Sequence, residues 1–287
     1  MVDKPAGLTS HGVVARVRRI LGTRKVGHAG TLDPMATGVL LVGVNRATRL
    51  LGHLMLTTKT YTATLRLGVG TLTDDAEGEV AATPGVGDVS PDQLEAAMAI
   101  FRGAIAQVPT AVSAIKVDGV RSYAKVRAGE SVELTARPVT VHRFALLDRR
   151  AVTVDGVACL DLDVVVVCSS GTYIRALARD LGAALGSAGH LTALRRTQVG
   201  PFGLDEASTL TDQTETLELL SMTEVARRCF PVLVVDAADE ASVRVGRALP
   251  DRPLAADLVA LLSAEEEFLA LYSPRGDGAV PEAVFCG

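Results

Sequence analysis

Gly27-His28-Ala29-Gly30-Thr31-Leu32-Asp33-Pro34-Met35-Ala36-Thr37-Gly38 is the stretch on which the reading of this chain turns. Glycines and a proline surround one carboxylate and one imidazole. Gly and Pro weaken helices and strands alike, so the segment reads as a shaped loop whose backbone runs close to something. Asp33 is its only ionised side chain, and a lone acid on a constrained loop points to a nucleophile or a base. The alternative is an ordinary turn, which Gly, Asp and Pro also favour.

The neighbourhood argues for a site. Residues 1–60 hold nine Lys and Arg against Asp3 and Asp33, a local balance of +7 in a chain of net charge −4. A single acid in a basic field suits a polyanionic substrate. Residues 203–287 lean the other way, with sixteen Asp and Glu against six Lys and Arg. The whole-chain balance therefore hides a basic front and an acidic rear.

Outward from the loop, Thr9-Ser10 can cap a helix from about His11 to Leu21, with Val13, Val14 and Val17 in its apolar stripe and Gly22 as its stop. Val39 to Val42 reads as a buried strand. Lys59 to Leu67 alternates cleanly, with Tyr61, Ala63, Leu65 and Leu67 on one face. Pro91 to Arg102 predicts an amphipathic helix, Val139 to Leu147 and Val157 to Cys168 predict strands, and Thr172 to Leu185 predicts a helix. Residues 107–130 are rich in Gly, Lys, Arg and Ser, which suits a mobile arm. Past Phe202 come a short helix near Met222 to Arg228 and short strands at Val232–Val235, Leu258–Leu262 and Phe268–Tyr272. That texture predicts a small β-rich module, plausibly a barrel.

The 287 residues are 48% hydrophobic, enough for one large domain or two. Cys159, Cys168, Cys229 and Cys286 have no CxxC spacing, which points to a reduced cytoplasmic protein without structural zinc. The five histidines show no metal-ligand spacing, and no nucleotide-cofactor loop is present. Neither a metal nor a cofactor is expected. No apolar run reaches the roughly 18–20 residues of a membrane span, and the N-terminus lacks a signal-peptide pattern, so no membrane association is expected.

Six blocks now fall into one order: Asp3-Lys4-Pro5-Ala6-Gly7-Leu8-Thr9-Ser10, the Gly27–Gly38 loop, Lys59-Thr60-Tyr61, the run from Gln107 to Lys116, Ser170-Gly171-Thr172-Tyr173-Ile174-Arg175, and the run from His190 to Arg196. Together they resemble the bacterial tRNA pseudouridine synthase B (TruB) family over most of residues 3–202. The resemblance implies an α+β fold with a mixed, largely antiparallel sheet flanked by helices over residues 1–232. It includes an arm at about 104–135 and is followed by a small PUA-like β module over 233–287. It also implies cofactor-free isomerisation of uridine 55 in the tRNA T-loop by a single chain, a monomer needing no guide RNA or protein partner.

By the same resemblance Asp33 is the catalytic acid, Arg175 pairs with it, and Tyr61 stacks on the flipped base and helps remove the C5 proton. Leu194 is a pocket wall, and His28 stacks within the rearranged T-loop. Tyr173 and Asp75 support substrate binding, and Lys4 and Lys116 are phosphate contacts. A guanidinium beside Asp33 should lower its pKa. Three roles stay open for Asp33: attack at C1′, attack at C6, or removal of a sugar proton.

The chain departs from the family in three places. Only Met1-Val2 precede Asp3 where the family usually opens with a hydrophobic strand, so either the start lies upstream or an edge strand is short. Leu72 stands where the family usually has Asp, and Val108-Pro109-Thr110 replaces a double proline. Two rival readings are a non-catalytic tRNA-folding protein and a glycosidase-like hydrolase. The second needs paired carboxylates, and Asp33 has no acidic neighbour in sequence.

Overall fold

The alternation of Lys59–Leu67 is realised without a break: Lys59, Tyr61, Ala63, Leu65 and Leu67 are buried and the residues between them are half-exposed. This strand is the axis of the fold. The computed structural model describes residues 1–55, 57–110, 116–117, 120–121 and 134–286. Much of the expected arm, and the side chain of Lys116, lie outside the described residues.

Among the described residues the main sheet has ten strands: β1 (Val2–Lys4), β2 (Val26–Ala29), β3 (Thr37–Val44), β4 (Lys59–Leu67), β5 (Gly103–Gln107), β6 (Arg137–Val154), β7 (Val157–Cys168), β8 (Gly189–Val199), β9 (Phe202–Gly203) and β10 (Ser208–Thr209). Its order is β10-β1-β3-β8-β4-β7-β6-β5, with β2 beside β3 and β9 beside β8. The β10–β1 and β3–β8 pairs are parallel and the others antiparallel. The expected mixed, largely antiparallel sheet is what forms.

Six α-helices accompany the strands among the described residues: α1 (Ser10–Ile20), α2 (Leu51–Leu54), α3 (Pro91–Ala99), α4 (Ile174–Ala184), α5 (Met222–Cys229) and α6 (Ala237–Arg244). The side chain of Thr9 caps α1 by accepting from Gly12 N at 2.9 Å. Ser90 and Gln93 close a reciprocal capping box on α3. Helices α3 and α4 bury Leu94, Met98, Leu177 and Leu181 with Leu65, Leu162, Val164 and Val166 of the sheet in one core.

Four further strands, β11 (Val232–Val234), β12 (Val259–Leu262), β13 (Phe268–Arg275) and β14 (Gly278–Val284), pair in chain order. Strand β11 runs parallel to β12, a pairing that requires a crossover, and the connection carries α6. The result is an open sheet among the described residues rather than the expected barrel. Its inner face shares an apolar cluster with the main sheet, in which Ala260, Leu262, Phe268 and Phe285 meet Leu50, Leu54, Val199 and Phe202. Arg46 and Arg49 donate to the carbonyls of Phe285 and Val284 across the same seam. No helix among the described residues is long and apolar enough to cross a membrane.

Candidate active site

The loop after β2 is held from three sides. Ser10, buried at the start of α1, donates to Leu32 O at 3.0 Å and accepts from Leu32 N at 2.9 Å. Gly7 N donates to Pro34 O at 2.8 Å, and Ala36 N closes a turn on Asp33 O at 3.1 Å. Gly38 sits at φ +104, and a Cβ there would stand 2.1 Å from the Arg196 carbonyl oxygen. Only glycine lets β3 lie this close to β8.

Lys4, expected at a phosphate, does something else. It is fully buried, and its Nζ donates to Leu8 O at 2.5 Å, Pro5 O at 3.0 Å and Pro34 O at 3.1 Å. It is a tie inside the loop and reaches no solvent. Burial pushes its ammonium down to about 8, against the pull of Asp33 and Glu77.

Arg175, in the first turn of α4, meets the loop as expected: its Nη2 lies 3.1 Å from Asp33 Oδ2, with side chains 8% and 36% exposed. Its Nη1 donates to Asp75 Oδ2 at 2.9 Å and to Thr73 O at 3.1 Å. The other Asp75 oxygen accepts from Thr73 Oγ1 at 2.5 Å and Glu77 N at 3.1 Å. Asp75, expected at the substrate, is buried behind Arg175 and does not line the cavity.

One guanidinium thus bridges two carboxylates, which changes the electrostatics from those expected. Burial raises the Asp33 pKa above its ordinary value; Arg175 opposes the rise and Asp75 adds to it. The expected lowering by Arg175 is outweighed by burial, and Asp75 adds to the rise.

Asp33 and Arg175 face a cavity of about 300 Å³, whose walls include Tyr61, Tyr173 and Leu194. Tyr61 is buried, and burial raises its phenol pKa while the nearby Arg196 guanidinium opposes the rise. Tyr173 precedes α4, and its backbone is bracketed by Gln107 of β5: Oε1 accepts from Tyr173 N at 2.8 Å and Nε2 donates to Tyr173 O at 3.0 Å. Two further wall residues, Lys59 and Arg196, were not singled out in the sequence.

His28 stands outside the cavity lining. Its segment is strand β2 rather than loop, with His28 opposite Val42 of β3, and its ring meets His11 edge-on at 5.4 Å. Burial pulls its imidazole pKa down, with His11 and Arg196 adding to the effect. Leu72 is exposed. No cluster of metal-ligating side chains occurs among the described residues.

Comparison with known proteins places this geometry. Residues 18–174 match the N-terminal domain of the TruB family pseudouridylate synthases, and residues 175–228 match the tRNA pseudouridylate synthase B C-terminal domain. The chain is 58% identical to a tRNA pseudouridine synthase B from Nocardia farcinica, over 98% of this chain and 90% of the relative. It is 53% identical to one from Paenarthrobacter aurescens, over 99% and 94%. Among solved structures it resembles a chain of a Cbf5–Nop10–Gar1 complex, with TM-score 0.72 and 29% identity, covering 99% of this chain and 83% of that one.

Proposed function

We propose, for a chain that belongs to the TruB family of pseudouridylate synthases and makes pseudouridine in tRNA, that the cavity beside Asp33 receives a uridine flipped from position 55 of the T-loop. The observation that carries this reading is the Asp33–Arg175 pair, 3.1 Å apart on the wall of a cavity of about 300 Å³. A stacked base must leave its neighbours before its glycosidic bond is reachable, at a cost of about a few kcal/mol that the pocket has to offset. Tyr61 and Leu194 supply the surfaces on which the base stacks, and Tyr173 closes the pocket beside them. Arg175 orients Asp33, which acts at C1′, at C6 or on a sugar proton.

His28, whose ring meets His11 edge-on, stacks on the surrounding RNA in this reading, a mode that RNA recognition favours. Lys116 keeps its reading as a phosphate contact. Residues 1–232 form the catalytic unit and 233–287 a PUA-like module. The acid, its guanidinium, the tyrosine and the cavity wall are supplied by this chain, and the reading is of a cytoplasmic enzyme acting as a monomer without guide RNA or protein partner. The glycosidase reading loses its second carboxylate: Asp75 is bonded on both oxygens and faces away from the cavity.

Incubation with an unmodified tRNA transcript, followed by carbodiimide mapping of pseudouridine, tests the proposal. Signal at position 55 with wild type and none with Asp33→Asn is expected. An active Asn variant would reject Asp33 as the catalytic acid.

A further inference from the structure

Lys59 and Arg196 put two cations into the cavity wall, and neither meets a carboxylate among the described residues. Arg196 is 1% exposed; its Nε and Nη2 donate to Val39 O at 2.8 Å and Gly30 O at 2.9 Å, and the Tyr61 hydroxyl lies beside its guanidinium. Lys59 is 6% exposed, and its Nζ donates to Met55 O at 2.8 Å and Thr57 O at 2.7 Å, with no further acceptor among the described residues. The two side chains converge at Gly30, where a Cβ would stand 3.4 Å from Arg196 Nη1 and 3.8 Å from Lys59 Cε. Buried cations that meet no carboxylate are unfavourable, and two side by side repel. A cavity that keeps both is arranged for negative charge that arrives with the substrate.

We propose that Lys59 and Arg196 form a subsite that receives the negative charge developing on the uracil ring during isomerisation. The inference rests on the reading that uridine occupies this cavity. When the C1′–N1 bond breaks, its electron pair stays on the ring, spread over N1, O2 and O4. Attack at C6 would instead send charge to C5 and O4. Either route makes the ring an anion while it is held in the pocket. Formation of the C5–C1′ bond, loss of the C5 proton and protonation of N1 discharge it, and Asp33 regains its starting form. Preorganised donors aimed at charge that appears only in the transition state are the strongest catalytic device available to a cofactor-free site.

The charged and titratable groups around Lys59 are Arg196 on β8, Cys168 on β7 and, around the same cavity, Asp33, Tyr61, Tyr173 and Arg175. Burial and Arg196 together push the Lys59 ammonium down to about 8. The subsite should therefore lose half of its charge as the pH rises through that value.

The test is single-turnover release of tritium from tRNA carrying [5-³H]uridine, with tRNA affinity measured in parallel. Lys59→Met is expected to lower the rate at saturating enzyme by about 100-fold, the usual effect of removing one such donor, with affinity unchanged. Lys59→Arg, whose charge does not titrate in this range, should restore most of the rate and abolish the fall above pH 8 expected of wild type. Lys4 titrates in the same range, so Lys4→Arg serves as the control that leaves the fall in place. Full rate in Lys59→Met, or an unaltered pH profile in Lys59→Arg, would overturn the subsite. If Lys59→Met proves unfolded, the Lys59→Arg profile decides alone. An active Asp33→Asn would instead overturn the underlying reading of the cavity, whatever Lys59 does.

Discussion

Asp75 holds Arg175 at 2.9 Å with both side chains almost fully buried, 4% and 8% exposed. The guanidinium that faces Asp33 is aimed from behind by a second carboxylate, which two hydrogen bonds from Thr73 and Glu77 keep in place. Removing Asp75 leaves the buried Arg175 with the more exposed Asp33 as its remaining carboxylate. Asp75→Ala should therefore lose about 3 kcal/mol of unfolding free energy, the low end for breaking a buried pair, and most turnover. Denaturant titration checks the first, and an unchanged midpoint would show that Arg175 needs no anchor.

Tyr61→Phe separates stacking from hydroxyl chemistry. The ring keeps its place on the apolar face of β4, so tRNA affinity should hold. The chemical step should slow by about 100-fold if the hydroxyl moves a proton. Full single-turnover rate in the Phe variant would reduce Tyr61 to a stacking surface.

Stability and catalysis should move in opposite directions above pH 8. Lys4 and Lys59 ordinarily titrate near 10.5 and are lowered to about 8 in the folded chain. Between those values the unfolded chain binds more protons, so stability rises with pH. Cys168 and Cys229, raised from 9.0 to about 11, act in the other sense above pH 9. The clean window is therefore pH 8 to 9. There the difference in denaturant midpoint between wild type and Lys4→Met should drift in favour of wild type, and a flat difference would contradict the buried-ammonium picture.

Two glycines with positive φ should answer alanine very differently. At Gly38, φ +104, the new Cβ collides with the Arg196 backbone, and Gly38→Ala should destabilise by at least about 3 kcal/mol or prevent folding. At Gly22, φ +60, nothing lies within 4 Å, and the loss should stay near 1 kcal/mol, roughly the penalty of left-handed backbone alone. Thermal melts of the two variants side by side give the comparison.

Acid sensitivity should begin above the ordinary carboxylate range. Burial raises the Asp33 pKa from its usual 3.8, and turnover needs the carboxylate in each of its possible roles. The single-turnover rate should thus fall on acidification at a higher pH than an exposed aspartate would give. A rate constant down to pH 4 would mean that Arg175 outweighs burial after all.

The sequence carried the parts of this site that local chemistry can express. The period of two in Lys59–Leu67 is visible because each step of the strand meets the core or solvent in turn. The constraint on the Gly27–Gly38 loop is visible because glycine and proline have few other uses together. Helix α4 shows its apolar stripe, and the resemblance of Gly171-Thr172-Tyr173-Ile174-Arg175 put Arg175 opposite Asp33.

What stayed hidden depends on partners far away in the chain. Lys4 looks like any basic residue until three carbonyls close around it. His28 belongs to a strand only because β3 returns to pair with it. Arg195 and Arg196 are indistinguishable as letters. Register shifts at Leu191/Ala193 and Arg196/Gln198 break the alternation that would have told the buried one from its neighbour, which pairs with Asp3. Strand β14 escaped notice because Pro281 and Glu282 interrupt its pattern.

Gln107 ends β5, and its amide grips both backbone groups of Tyr173. The strand that launches the following segment and the helix that bears Arg175 are consequently one mechanical unit. A displacement of this outermost strand is thereby passed to the guanidinium two residues past the grip, which ties the margin of the sheet to the partner of the acid.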